Sequence, residues 1–127
     1  MLNIGVFGAG HLGKIHLKLL SQSKQYNLIG FYDSNLSNAK KVSENFDYKF
    51  FKSAENLISK CDVIDIVTPT PFHHKIAILA LSNNCHVFIE KPITKSVKEA
   101  KELINLSKLN GLYGQVGHVE RFNPAFI

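Results

Sequence analysis

The sequence predicts an α/β protein built on a doubly wound parallel sheet with helices on both faces. Three observations carry that expectation. Short, continuous apolar runs alternate with segments of helical periodicity. The first run, residues 2–7, leads directly into Gly8-Ala9-Gly10-His11-Leu12-Gly13 and then into a helical pattern. A carboxylate, Asp33, closes the second run twenty positions beyond Gly13. With right-handed crossovers the default strand order is 3-2-1-4-5-6.

Each element has a local reason. Residues 2–7 are short, apolar and ended by Gly8, as a buried strand is. Residues 11 to about 21 read as a helix with Leu12, Ile15, Leu19 and Leu20 at helical spacing and with His16 and Lys18 pointing elsewhere. The second strand, 27–33, carries Leu28, Ile29, Phe31 and Tyr32, and a polar helix over 37–46 has a thin face of Ala39, Val42 and Phe46. Residues 48–51 predict a short third strand, and Ser53 caps a short helix holding Leu57 and Ile58. The run 63–67, with Ile64 and Ile66, suits a strand covered on both faces. Thr70 and Pro71 read as an N-cap and first helical residue of a helix that reaches about Asn83 and carries Ile76, Ala77, Leu79, Ala80 and Leu81. A fifth strand spans 85–89. Ser96 and Glu99 form a capping box for a helix with Val97, Ala100, Leu103 and Ile104, which Gly111 ends. Residues 112–116 form the sixth strand.

A chain of 127 residues suits one such domain, and 45% apolar with 20% charged residues is ordinary for a globular protein. No apolar stretch approaches the ~20 residues of a membrane helix. The first strand begins right after Met1 and leaves no room for a signal peptide, so a cytoplasmic location is the expectation. The net charge is +5, but the lysines are spread along the chain with no basic stripe between aromatics, and nucleic-acid binding is not expected. Cys61 and Cys85 form no C-x-x-C and no Cys/His metal spacing, and the histidines are scattered. Reduced, buried thiols and no metal site are expected. The domain is read as residues 1–117. Residues 118–127 are too few for a substrate-binding domain and include Phe122, Phe126 and Ile127, apolar side chains that need a cover. They are read as the start of such a second domain, with the chain a piece of a longer protein.

The glycine motif carries the first chemical expectation. Gly8 permits the tight turn out of the strand, Gly10 lets the backbone approach a pyrophosphate, and Gly13 lets the helix pack closely on the sheet. The helix N-terminus, with His11 and Leu12 in the same loop, offers free N–H groups and partial positive charge to phosphates. Asp33 can accept from both ribose hydroxyls, and its charge repels a 2′-phosphate. The residues after it, Ser34, Asn35 and Leu36, supply no arginine. NAD is the expected cofactor and NADP is disfavoured, with redox chemistry the first hypothesis.

Three other segments fall at the C-terminal ends of the predicted strands, the edge where open α/β sheets bind ligands. In Glu90-Lys91-Pro92 a lysine can donate to a substrate oxygen, or shed a proton when desolvated, beside a turn-fixing proline. A surface lysine before a turn proline would give the same residues. In Thr68-Pro69-Thr70-Pro71-Phe72-His73, Thr68 and nearby backbone are placed to line the nicotinamide ribose. His73 is either functional or a plain first-turn residue, and His74 reads as solvent-facing. Gly117-His118-Val119-Glu120-Arg121-Phe122-Asn123-Pro124 groups more polar chemistry than a connector needs, although a salt-bridged hinge accounts for it equally. Arg121 is the one arginine of a lysine-rich chain, which either marks a need for its planar fork or is chance.

Taken in order and spacing, GAGHLG, Asp33, TPTPFHH, EKP and GHVERFNP resemble the N-terminal half of the Gfo/Idh/MocA oxidoreductases, the glucose-fructose oxidoreductase and inositol dehydrogenase family. The resemblance covers essentially the whole chain, and EKP after the Rossmann fingerprint is its most specific mark. It implies NAD(P)-dependent oxidation or reduction of a carbon–oxygen bond on a sugar, cyclitol or sugar nucleotide. Lys91 would bond the reacting oxygen, while Glu90 and Pro92 shape the nicotinamide pocket. Thr68, Pro69 and His73 match a segment that contacts the cofactor. Arg121 and Asn123 match one near the substrate. The resemblance also implies a second domain carrying an acid-base histidine, through which the whole protein forms a homo-oligomer. Without that domain the chain would bind cofactor and not turn over substrate. An NAD-dependent glycoside hydrolase of the same superfamily, or a non-catalytic NAD-sensing protein, would carry the same cofactor domain.

Overall fold

The structure, a computed structural model, describes residues 1–91 and 93–117. In chain order the elements are β1 (Leu2–Phe7), α1 (His11–Ser21), β2 (Tyr26–Tyr32), α2 (Leu36–Phe46), α3 (Ala54–Ser59), β3 (Val63–Ile66), a 3₁₀ turn (Thr70–Phe72) that runs into α4 (His73–Ser82), β4 (His86–Glu90), α5 (Val97–Leu109) and β5 (Gly114–Gly117). All strand pairs are parallel, in the order β2-β1-β3-β4-β5. The doubly wound fold is therefore as expected. The chain leaves β1 toward β2 on one side and β3 toward β4 on the other, so the crossover helices fall on opposite faces.

Register and pleat sort the side chains. Val6 of β1 lies opposite both Phe31 and Asp65, and Asp65 lies opposite Phe88. These residues share the α1 and α2 face, where Val6, Ala9, Leu17, Phe31, Ala39 and Val42 form one buried cluster. Phe7, Ile66 and Ile89 point the other way and join Leu57, Ala77, Leu81 and Leu103 in the larger core under α3, α4 and α5. Cys85 is buried in that core and Cys61 half-buried; both are free thiols. Burial, with smaller contributions from Cys85 and Asp62, pushes the Cys61 thiol up to about 12. Among the described residues no helix is long and apolar enough to cross a membrane.

Three expectations are corrected. Residues 48–51 do not form a strand: Phe50 makes a single parallel bridge to Phe31. Two bonds fix it, Phe31 N–H to Lys49 O at 2.9 Å and Phe51 N–H to Phe31 O at 2.8 Å. The segment lies between the left-handed Asp47 that ends α2 and the Ser53 that caps α3. The bridge nonetheless lies outside β2, where the expected order put its third strand. Thr70 is not a helix cap. It opens the 3₁₀ turn behind the extended Pro69, Pro71 sits inside that turn, and α4 begins only at His73. Finally, α1 is rotated from its expected face: Ile15 and Leu19 are each 42% exposed, while Gly13, His16 and Leu17 are buried.

Candidate cofactor and active site

The loop between β1 and α1 is shaped by its glycines, for different reasons. Gly8 has φ +102°, and a Cβ there would come within 2.7 Å of the Val67 carbonyl oxygen. A Cβ on Gly13 would run into the Gly8 carbonyl. Both are required by the fold itself. Gly10 is exposed, and a Cβ there would meet nothing within 4 Å. No side chain caps the N-terminus of α1 behind Gly10, and its first turn holds no acid, so its orphan N–H groups face outward without a competing anion.

This loop forms one wall of a cleft of about 1020 Å³ beyond the C-terminal ends of β1, β2 and β3. Gly8 to Leu12, Asp33 to Asn35, Asn38, Lys52 to Glu55, Val67 to Pro69, Phe72 and Lys75 line it. Asp33 follows β2 and is held in place from three sides. Its Oδ2 accepts from Ala9 N–H at 3.1 Å and from Asn38 Nδ2 at 3.0 Å, and its Oδ1 accepts from Asn35 N–H at 2.9 Å. Asn38 also donates to the Ala9 carbonyl at 2.9 Å, so one amide of α2 ties the acid to the glycine loop. Sequence reading passed over Asn38; the signal was an amide five residues beyond the acid, in the first turn of the next helix.

Thr68 and Pro69 reach the cleft, and the buried Thr68 Oγ1 has no hydrogen-bond partner among the described residues. His73 does not line the cleft. It is 1% exposed, with Nε2 2.7 Å from the Thr68 carbonyl and Nδ1 3.2 Å from the Ile93 carbonyl. It clamps backbone on both sides. His74 is half-buried against two carboxylates of α5, Nε2 at 2.9 Å from Glu102 and Nδ1 at 3.6 Å from Glu99, and is not a free solvent residue.

Glu90 ends β4, one strand beyond β3, and exposed Lys91 follows it at the same sheet edge. The Lys91 N–H donates to Glu90 Oε2 at 3.3 Å. Neither residue lines the described walls of the glycine-loop cleft. Pro92, Arg121 and Asn123, with the rest of residues 118–127, lie outside the described residues.

The structure adds a buried cluster beside Glu90. His16 Nδ1 lies 2.7 Å from Asp65 Oδ2, and His16 Nε2 lies 3.2 Å from Glu90 Oε1. The second approach is close enough for charge attraction but leaves Glu90 Oε1 without a well-directed hydrogen bond among the described residues, and Asp65 Oδ1 also lacks one there. All three residues are at most 5% exposed. Burial pulls the His16 imidazole down, yet the hydrogen bond and charge of Asp65, followed by Glu90, outweigh it and raise its pKa above 6.5. Burial pushes Asp65 up; His16 opposes that and Glu90 adds to it. His16 and Asp65 therefore each hold a proton more tightly than the isolated groups would. The sequence carried two signals for it: an aspartate inside the apolar run 63–67, and His16 on the same helical stripe as Leu12 and Leu20.

Fold and loop together define a dinucleotide-binding domain of the Rossmann class. Residues 2–118 match the model of the Gfo/Idh/MocA oxidoreductase family, NAD-binding Rossmann fold, and the chain belongs to that family. UDP-N-acetylglucosamine 3-dehydrogenase of Acidithiobacillus ferrooxidans is 35% identical over 124 residues, which cover 98% of this chain and 39% of that protein. A solved structure of that enzyme matches with a TM-score of 0.88 at 34% identity, over 98% of this chain and 41% of the other. Glucose-6-phosphate 3-dehydrogenase of Bacillus subtilis is 30% identical over 122 residues, 96% of this chain and 35% of that protein. Biliverdin reductase of Synechocystis sp. PCC 6803, solved with biliverdin and NADP⁺, matches with a TM-score of 0.87 at 25% identity, over 94% of this chain and 38% of the other. The chain thus spans 35–41% of the length of these relatives.

Proposed function

We propose that residues 1–117 are the NAD-binding domain of an enzyme that moves a hydride to or from an alcohol or carbonyl carbon of a sugar, cyclitol or sugar nucleotide. The observation that carries this reading is the contrast among the three glycines. Gly8 and Gly13 are explained by their own chain, whereas nothing among the described residues requires Gly10 to lack a side chain. A ligand backing onto the uncapped end of α1 does. In this reading the first-turn N–H groups at His11 and Leu12 face the pyrophosphate and Asp33 faces the adenosine ribose. Thr68, with its unpartnered hydroxyl, and Pro69 face the nicotinamide side. His73 supports Thr68 through its backbone rather than by touching the cofactor.

Bound NAD supplies the hydride acceptor or donor. As an alcohol carbon is oxidised the neutral Lys91 amine takes the hydroxyl proton, and on reduction the Lys91 ammonium donates to the carbonyl oxygen and returns it. Glu90 and Pro92 shape the nicotinamide side, and Arg121 and Asn123 reach the substrate near the junction with a second domain that begins after residue 117. The sugar-type substrate rests on what the relatives are named for. The preference for NAD over NADP rests on the charge of Asp33 and the lack of an arginine beside it.

Calorimetric titration of the chain with NAD and with NADP tests the cofactor half: NAD should bind, and NADP should bind at least about tenfold more weakly, ~1.4 kcal/mol. Equal affinities would reject the role given to Asp33. Turnover of UDP-N-acetylglucosamine by the complete protein and its Lys91→Met variant tests the chemistry. A variant that turns over normally would reject the role of Lys91.

A further inference from the structure

Lys91 follows the last residue of β4, so whatever fixes Glu90 fixes the start of the turn that carries it. The Glu90 carboxylate meets the Lys91 N–H through Oε2 and the His16 ring through Oε1. His16 is held in turn by Asp65 on β3. Packing alone does not call for such groups. On the opposite face the same two strands use Ile64, Ile66, Val87 and Ile89, all buried. Burying two carboxylates and an imidazole costs several kcal/mol per ion before pairing, and an apolar set of similar volume is often the more stable choice. The charged set therefore calls for a reason other than stability, and its outermost member adjoins Lys91. Ile93 is tied as well, since its carbonyl lies against His73.

We propose that His16, backed by Asp65, is a positioning residue for Lys91 and works through the Glu90 carboxylate. This rests on the reading of Lys91 as the group that meets the substrate oxygen. Because α1 starts at the glycine loop, one rigid helix would then set both the phosphate-facing N–H groups and the lysine turn.

The test is backbone ¹⁵N relaxation on the NAD-saturated chain, comparing wild type with His16→Asn and Asp65→Asn. In wild type the amides of Lys91 and Ile93 should be as rigid as the strands, with order parameters of about 0.85; in either variant they should fall below about 0.6 while β1 and β3 stay unchanged. Unchanged values at Lys91 and Ile93 would overturn the proposal. So would a matching fall across β1 and β3, which would make His16 a general structural residue. Asp65→Asn keeps the side-chain volume and carries the test if His16→Asn does not fold. Relaxation reads geometry whether or not Lys91 performs chemistry, so failure here is distinct from failure of the Lys91→Met turnover assay.

Discussion

The two faces of the sheet solve different problems with the same strands. Under α3, α4 and α5, residues such as Phe7, Ile64, Ile66, Leu81 and Ile89 form one continuous apolar layer. Under α1 and α2 the apolar layer covers β1 and β2, then gives way over β3 and β4 to His16, Asp65 and Glu90. A cavity of about 120 Å³ lined by Ile4, Leu20, Tyr26 and Phe88 lies beside them. Adjacent residues divide the tasks: Ile64 and Ile66 anchor one face, and Asp65 between them serves the other. Full burial of each aliphatic side chain contributes ~1.5–3 kcal/mol, whereas each buried ion costs several kcal/mol unless it is paired. One face holds the fold together, and the other spends part of that stability on charge placed next to Lys91.

Four variants or conditions would break or sharpen this contrast. His16→Leu leaves two buried carboxylates without their partner and should lower unfolding free energy by about 3–5 kcal/mol at neutral pH, read by urea denaturation. A loss of under about 1 kcal/mol, the range of exposed ion pairs, would mean the cluster is solvated rather than buried. Leu81→Ala, on the apolar face, should cost about 2–5 kcal/mol by cavity formation, while the folded protein keeps its affinity for NAD. Gly10→Ala should invert that pattern: stability should change by about 0.5 kcal/mol or less, and NAD affinity should fall at least about tenfold in a calorimetric titration. A stability loss without an affinity loss would show that Gly10 serves the fold.

The smallest effect is a pH dependence. His16 has a raised folded-state pKa, so its stabilisation is fully present below the unfolded value of 6.5 and is lost as pH rises through the folded value. Wild-type stability should therefore decline above pH 6.5, with a slope from this group of at most about 1.4 kcal/mol per pH unit. Leu81→Ala should show the same decline, displaced by a constant. Direct NMR titration of the His16 ring in wild type should place its transition above pH 6.5, and a transition below that value would assign the decline to another group.

What the sequence disclosed and what it hid follow from the range of the interactions. Caps are local: Ser53 accepts from Asn56 N–H at 3.1 Å as read, and Ser96 accepts from Glu99 N–H at 3.2 Å, one half of the expected capping box, while the Glu99 carboxylate lies 3.6 Å from His74 Nδ1. The glycine loop and Asp33 were legible because strand, turn, helix and acid recur at fixed spacing within one βαβ unit. The strand at 48–51 is reduced to one bridge because local propensity says nothing of how many residues come to lie along a neighbouring strand. The expected face of α1 fails because His16, polar by type, is turned inward. Its partners are remote, Asp65 being 49 residues away, and only the fold brings them together. Asn38 escaped for a related reason: its value lies in two bonds to a loop and an acid already read, not in a pattern of its own.

The placement of His16 on α1 also sets a tolerance. A helix turns by about 100° and climbs about 1.5 Å with each residue, so one residue inserted or deleted between Gly13 and His16 would swing the imidazole off Asp65 while leaving all three glycines intact. The spacing Gly8-x-Gly10-x-x-Gly13-x-x-His16 therefore behaves as one ruler with two ends, and in this chain the glycine fingerprint is physically three residues longer than its glycines.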